Sequence, residues 1–149
     1  MATHYRGTEA ERRALDAYIA LMRAAEAATA RIHAGLGEKG LTIAQFGALE
    51  ALYHVGPMLQ GELAGKLLRS TGNVGIVVDN LEDRGLVKRE RREDDRRFVT
   101  VACTEKGSAL IRSIFPEHAQ TITRDMSVLP PAEQEALRRL CVKLGKGRA

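Results

Sequence analysis

Six of the ten residues from Lys88 to Arg97 are lysine or arginine: Lys88, Arg89, Arg91, Arg92, Arg96 and Arg97. Glu90, Glu93, Asp94 and Asp95 are interleaved with them. Guanidinium groups at this density suit phosphate oxygens, and a narrow basic loop also fits the minor groove of a duplex. A solvated hairpin tip carries the same kind of run, so the preceding residues decide between the two. These read as a helix (Gly61–Leu68), a turn (Arg69-Ser70-Thr71-Gly72) and a second helix (Asn73–Glu82). In the second helix Val74, Val77, Val78 and Leu81 recur at i, i+3, i+4 and i+7, the spacing of a core-facing stripe. That leaves Gly72, Asn73, Gly75, Ile76, Asp79 and Asn80 toward the outer face. A helix with a small, polar outer face fits the major groove. The candidate contacts to duplex DNA are therefore Gln60, Ser70, Thr71, Asn73, Gly75, Ile76 and Asn80 from the helices. Arg89, Arg92, Arg96 and Arg97 join them from the hairpin.

The elements that must hold these residues are legible around them. Residues 9–34 contain neither proline nor glycine, and Leu15, Tyr18, Met22, Ala25, Thr29, Ile32 and Leu36 recur at helical spacing, widened by Ile19. This predicts a long amphipathic helix. Gly35, Gly37 and Gly40 break it. Thr42 with Gln45 three residues on is a capping box. It opens a second helix with Ile43, Phe46, Leu49, Leu52 and Tyr53 on one face, stopped by Gly56-Pro57. A third helix starts near Gln60, with Leu63, Leu67 and Leu68 inward; Leu59 before it offers no capping side chain. Ser70 or Thr71 can cap the fourth helix, and Gly85 suits the left-handed residue that ends it. Two strands follow, up to Arg91 and from Phe98 to Cys103, with Val99, Val101 and Cys103 on one face. Thr104 can cap a fifth helix carrying Leu110, Ile111, Ile114, Phe115, Ile122 and Met126, with Pro116 expected to kink it. Pro130-Pro131 starts a sixth, with Leu137, Leu140, Cys141 and Leu144 as its stripe. The fold class expected is mainly α with a small, two-stranded antiparallel β-wing. The helices at 9–34, 105–128 and 131–144 carry more apolar stripe than one small domain needs for itself. An isologous interface with a second copy would bury the surplus.

Composition excludes other classes. The chain has 149 residues, 44% of them apolar, with three Phe, three Tyr and no Trp, which argues for one domain with aliphatic packing and against an aromatic-lined cofactor site. Net charge is +4 and the pI is about 9.3, so the placement of the basic residues matters more than their total. Cys103 and Cys141 form neither a CxxC pair nor a disulfide framework. His4, His33, His54 and His118 are scattered, without metal-type spacing. No phosphate-binding glycine loop and no nucleophile–base pattern is present, so no enzyme, metal or cofactor is expected. With no signal peptide and no long apolar run, the expectation is a cytoplasmic protein without a membrane partner.

Three stretches in this order resemble the MarR family of transcriptional regulators. They are Thr42-Ile43-Ala44-Gln45-Phe46-Gly47-Ala48-Leu49, then Asp79-Asn80-Leu81-Glu82-Asp83-Arg84-Gly85-Leu86-Val87, then Asp95-Arg96-Arg97 with Cys103-Thr104-Glu105-Lys106-Gly107. The resemblance covers nearly the whole chain. It implies a winged helix-turn-helix over residues 42–104, with N- and C-terminal dimerisation helices at 1–36 and 105–149 in a single 1–149 domain. It also implies a homodimer on a pseudo-palindromic operator. By position, Arg97 corresponds to the wing arginine that enters the minor groove, and Asp95 to the acid that orients the wing. Many members carry a hydroxyl residue and an arginine where Gly75 and Ile76 stand. Here Ile76 could touch thymine methyl groups instead, and Gly75 could let the backbone approach closely.

The same resemblance implies a repressor released from DNA by a small aromatic or phenolic effector. A pocket for it would draw on Ile32, Phe46, Tyr53, His54 and Phe115, which bring apolar surface with a few polar tips. Two alternatives stand beside this. One is a winged-helix module for architecture or protein interaction, without an effector. The other is a repressor that senses oxidation through Cys103 or Cys141, although by the resemblance Cys103 stands at a strand position usually held by Leu, which implies a small core residue.

Overall fold

The computed structural model describes residues 4–67 and 71–148. Six helices and three strands follow in the order α1 (Glu9–Ile32), α2 (Ile43–Val55), β1 (Met58–Leu59), α3 (Gln60–Lys66), α4 (Thr71–Asp83), β2 (Val87–Arg91), β3 (Val99–Cys103), α5 (Glu105–Met126) and α6 (Pro131–Lys146). A short 3-10 turn, Gly37–Lys39, follows α1. The chain divides into two compact units, Gly35–Glu117 and Met1–Ala34 with His118–Ala149.

In the unit Gly35–Glu117, Phe46, Leu49, Leu63, Val74, Val78, Leu81, Val101 and Ile111 are fully buried and form one continuous core. The expected stripe of α4 is the buried one. The α2 capping box forms: Gln45 N–H donates to the Thr42 hydroxyl at 3.1 Å, and Thr42 N–H to the Gln45 side chain at 3.0 Å. One residue of the α2 face is placed differently, since Ile43 is exposed. Three-residue steps fall short of the 3.6-residue turn, so Ile43 has rotated away from the face centred on Phe46, Leu49 and Leu52.

The expected two-stranded wing has a third strand. Met58 and Leu59 pair antiparallel with Val101 and Thr100, giving the order β1-β3-β2. The wing proper pairs Val87 with Cys103 through to Arg91 with Val99. Leu59 precedes α3 without a side-chain cap, as expected. The inward Leu68 and the caps expected from Ser70 or Thr71 fall outside what the structure describes.

Gly85 ends α4 at φ 73°, and Leu86 N–H returns to the Leu81 carbonyl at 2.9 Å. Three further bonds fasten this corner. Arg84 donates to the Gly40 carbonyl at 2.7 Å, Thr104 Oγ1 to the Gly85 carbonyl at 2.6 Å, and Lys106 Nζ to the Arg84 carbonyl at 3.0 Å. α5 then starts hard against the chain: a Cβ on Gly107 would lie 2.0 Å from the Leu86 carbonyl oxygen. Pro116 lies inside α5, which continues as a helix to Met126.

The second unit, Met1–Ala34 with His118–Ala149, is built differently. α1 opens with its own capping box, Thr8 with Glu11. Arg31 grips the Asp125 carboxylate with two nitrogens, one at 3.0 Å. Neither α1 nor α6 buries a single residue among those described. Leu15, Tyr18 and Met22 of α1 and Leu137, Leu140 and Leu144 of α6 are exposed. No helix of the described residues is long and apolar enough to cross a membrane.

Candidate nucleic-acid interface

The interface is built on α4 and the β2–β3 wing, both within the unit Gly35–Glu117. Burial of Val74, Val77, Val78 and Leu81 turns the opposite side of α4 to solvent. Gly72, Asn73, Ile76, Asp79 and Asn80 are exposed there, and Gly75 is partly covered. Ile76 is 62% exposed, a large apolar side chain amid polar ones.

Arg89 holds the wing against this helix. Its side chain is only 20% exposed. The guanidinium binds the Asp79 carboxylate, reaches Glu82 at 3.4 Å and Gln60 Oε1 at 3.1 Å, and donates to the Gly75 carbonyl at 3.0 Å. Its backbone N–H donates to Glu82 at 3.0 Å. One side chain thus joins α3, α4 and β2. Arg89, expected as a DNA-facing cation of the hairpin, instead turns inward, with Gln60 as a partner. The signal was strand alternation, since Arg89 shares a face with the buried Val87, two residues away.

The tip of the wing is set by acids. Asp95 accepts from Arg97 Nη2 at 2.8 Å, from Arg97 Nε at 3.0 Å and from the Arg97 backbone N–H at 3.0 Å. The Arg97 side chain is nonetheless 87% exposed. The hydrogen bond from Arg97 holds the Asp95 carboxyl below the usual carboxylate range, the backbone N–H adds to this, and Arg97 is raised in turn. Asp95 therefore aims the guanidinium while leaving its outer edge in water. Arg92 binds Asp94 at 2.6 and 3.0 Å and lies over the Phe98 ring, 5.2 Å from its centroid. Phe98, exposed where the tip loop meets β3, is a further candidate site residue, and its aromatic type beside an arginine is the signal for it. Arg91 donates to the Arg96 carbonyl at 3.0 Å. A groove beside the wing is lined by Leu59 of β1, by Gln60 and Gly61 from the start of α3, and by Arg97 and Phe98. Among the expected contacts, Ser70 and the side chain of Thr71 lie outside the described residues.

Of the residues expected to line an effector pocket, three come together. The His54 ring lies 5.0 Å from Tyr53 and 4.5 Å from Phe115, edge-on to both. Arg112 stands beside Tyr53 and binds Glu105 at 2.7 Å; Glu105 chiefly, then Tyr53, raises its pKa. Phe46 is 1% exposed, inside the core, and so offers no open surface. Ile32 belongs to the other unit. Cys103 is half buried and points its thiol at the Leu49 carbonyl, 3.7 Å away. Burial pushes that thiol up, away from the reactive thiolate. Cys141 is exposed on α6.

The sequence model of the MarR family matches residues 39–97, which span the helix-turn-helix and most of the wing. The chain is 33% identical over 133 residues to the HTH-type transcriptional regulator MhqR of Bacillus subtilis, covering 89% of this chain and 92% of the relative. Its fold is similar to that of BpsR from Bordetella bronchiseptica, whose DNA binding is regulated by 6-hydroxynicotinic acid. That likeness has a TM-score of 0.79 and 29% identity over 87% of this chain and 98% of the other. Sco3205 of Streptomyces coelicolor, a MarR family regulator solved in complex with DNA, shares the fold at a TM-score of 0.83. It is 22% identical, with 97% and 91% of the two chains covered. With α4 presented outward, a basic wing beside it and a relative aligned over nearly its full length, this chain belongs to the MarR family of winged-helix transcriptional regulators.

Proposed function

We propose that the chain acts in the cytoplasm as a homodimeric repressor. Two copies of α4 enter successive major grooves of a pseudo-palindromic operator, and each wing places Arg97 in the adjacent minor groove. A small aromatic or phenolic compound releases the complex. The observation that carries this reading is the Asp95–Arg97 pair, which projects a pre-aimed, exposed guanidinium from the wing tip. Side-chain entropy is lost before the groove is met, which favours binding.

Two observations support the finer parts. The apolar stripes of α1 and α6 lie open, and a second copy of the chain would cover them. A two-fold dimer would match half-sites about one helical turn apart, roughly 34–36 Å. The Tyr53–His54–Phe115 cluster with Arg112 beside it offers ring faces and a cation to an aromatic acid or phenol. Such a ligand releases DNA only by binding the DNA-incompetent form more tightly. Coupling at the usual scale would loosen the complex about 5–150-fold. BpsR, at 29% identity, is regulated by a compound of this kind.

The experiment is selection of duplexes from a random library, followed by anisotropy titrations with wild type and Arg97→Ala. The expected result is a two-fold symmetric site and a loss of about ten- to a hundredfold for the variant. Unchanged affinity of Arg97→Ala at physiological salt removes the wing from the interface. Recovery of no preferred sequence favours an architectural module instead.

A further inference from the structure

The helix presented to DNA lacks the group that most often reads a base. Thr71–Asp83 contains no lysine, arginine, glutamine or histidine. The commonest specific contact, a cation paired with guanine O6 and N7, is therefore closed to α4. Asp79 could accept from cytosine N4, but its carboxylate is occupied by Arg89, itself held by Glu82, Gln60 and the Gly75 carbonyl.

What α4 does present is Ile76 with an asparagine on either side. Positions 73, 76 and 80 follow at three- and four-residue steps and share one stripe of the helix. The asparagine amide matches the N6/N7 edge of adenine. Ile76 is 62% exposed at the middle of this stripe. Gly72 and Gly75 beside it carry no side chain, so the helix can sit deep. In the major groove the apolar feature is the 5-methyl group of thymine.

We propose that α4 reads a half-site core of A·T pairs in which Ile76 seats against a thymine 5-methyl group, with no guanine contact from the helix. This deepens the reading of α4 as the groove-entering helix and rests on it. Guanines in the operator are then read from elsewhere or not at all. Removing the methyl group removes the contact while the Watson–Crick pair stays intact.

The test uses the full-length chain and the selected operator. Each thymine of a half-site is replaced in turn by deoxyuridine. The expected result is one sensitive position per half-site, symmetric about the centre, where affinity falls about fourfold, the equivalent of one buried methyl group. Replacing that T·A pair by 5-methylcytosine·guanine keeps a methyl at the same place in the groove and retains more affinity than unmethylated cytosine·guanine. Ile76→Ala, on an exposed position, keeps its melting temperature and loses the discrimination between thymine and uracil. Three outcomes overturn the proposal: no uracil-sensitive position, undiminished discrimination in Ile76→Ala, or a guanine contact that disappears with an α4 side chain. If no duplex is selected at all, the DNA reading itself falls and this inference falls with it. Selection without uracil sensitivity overturns the inference alone.

Discussion

The two units of the chain treat their apolar residues in opposite ways. Every buried hydrophobic side chain among the described residues lies between Leu36 and Ile114, within Gly35–Glu117. The other unit buries none in α1 or α6, yet holds most of the large exposed ones, including Tyr18, Met22, Leu137, Leu140 and Leu144. Both units are helical and both carry amphipathic stripes. The winged unit folds its stripes onto one another through a three-stranded sheet and a tight corner at Gly85. The helical unit leaves its stripes open. Burial of apolar surface is the main favourable term in folding and in most association. The winged unit thus buries its apolar residues within one chain, whereas the helical unit leaves apolar surface open, which the second copy of the proposed homodimer would cover.

The sharpest way to break this contrast is to put a charge on the open stripe. If the proposed dimer uses this stripe, Leu140→Glu should separate the copies, because burying a carboxylate in an apolar interface carries a large desolvation cost. Light scattering should then report the 16.3 kDa chain in place of twice that mass. Operator affinity should fall by about 10²–10⁴, because the two recognition helices no longer bind as one bivalent unit. The winged core should keep its cooperative unfolding. A Leu140→Glu protein that remains dimeric removes α6 from the interface.

A smaller effect compares glycines. Gly107→Ala drives a methyl group into the Leu86 carbonyl at the start of α5, where neither backbone can yield cheaply. Overpacking of this kind costs about 1–3 kcal/mol. A Cβ on Gly145 of α6 meets nothing within 4 Å, and alanine there gains helix propensity worth up to about 1 kcal/mol. Denaturant titrations should therefore move in opposite directions for the two variants. Equal shifts would mean that the winged unit is not the tightly packed one.

The features legible in the sequence are those that short-range rules control. The Thr42–Gln45 box, the Gly85 stop and the α4 stripe each depend on residues within one or two turns of one another. The Thr8–Glu11 box of α1 obeys the same rule. β1 was out of reach for another reason. Two residues, Met58 and Leu59, form a strand only because Val101 and Thr100 lie across from them, some forty positions later. The basic run shows the limit most clearly. By type, Arg89, Arg92, Arg96 and Arg97 are interchangeable, and only their partners separate them. Arg89 is drawn inward by Asp79, Glu82 and Gln60, while Arg97 is aimed outward by Asp95. The aromatic cluster divides in the same way: Tyr53, His54 and Phe115 meet, and Phe46 is taken by the core.

The smallest expected effect concerns two ion pairs, one taken from each unit, and here the contrast should vanish. Asp95 is held below its ordinary range by Arg97, first through the side-chain hydrogen bond. Asp125 is held below it by Arg31, again mainly through the hydrogen bond. A carboxylate with a depressed pKa in the folded state lends its stability at pH values above its unfolded pKa, near 3.9. That contribution is lost as pH falls through the depressed value. Neither pair should respond between pH 5 and 8, so the wing stays aimed throughout the neutral range. Carboxyl NMR titration should find both groups below the ordinary value. Arg97→Ala should return Asp95 toward it and leave Asp125 in place; Arg31→Ala should do the reverse. If Asp95 titrates normally in the wild type, Arg97 is not pre-aimed, and the wing must find its geometry only after meeting DNA.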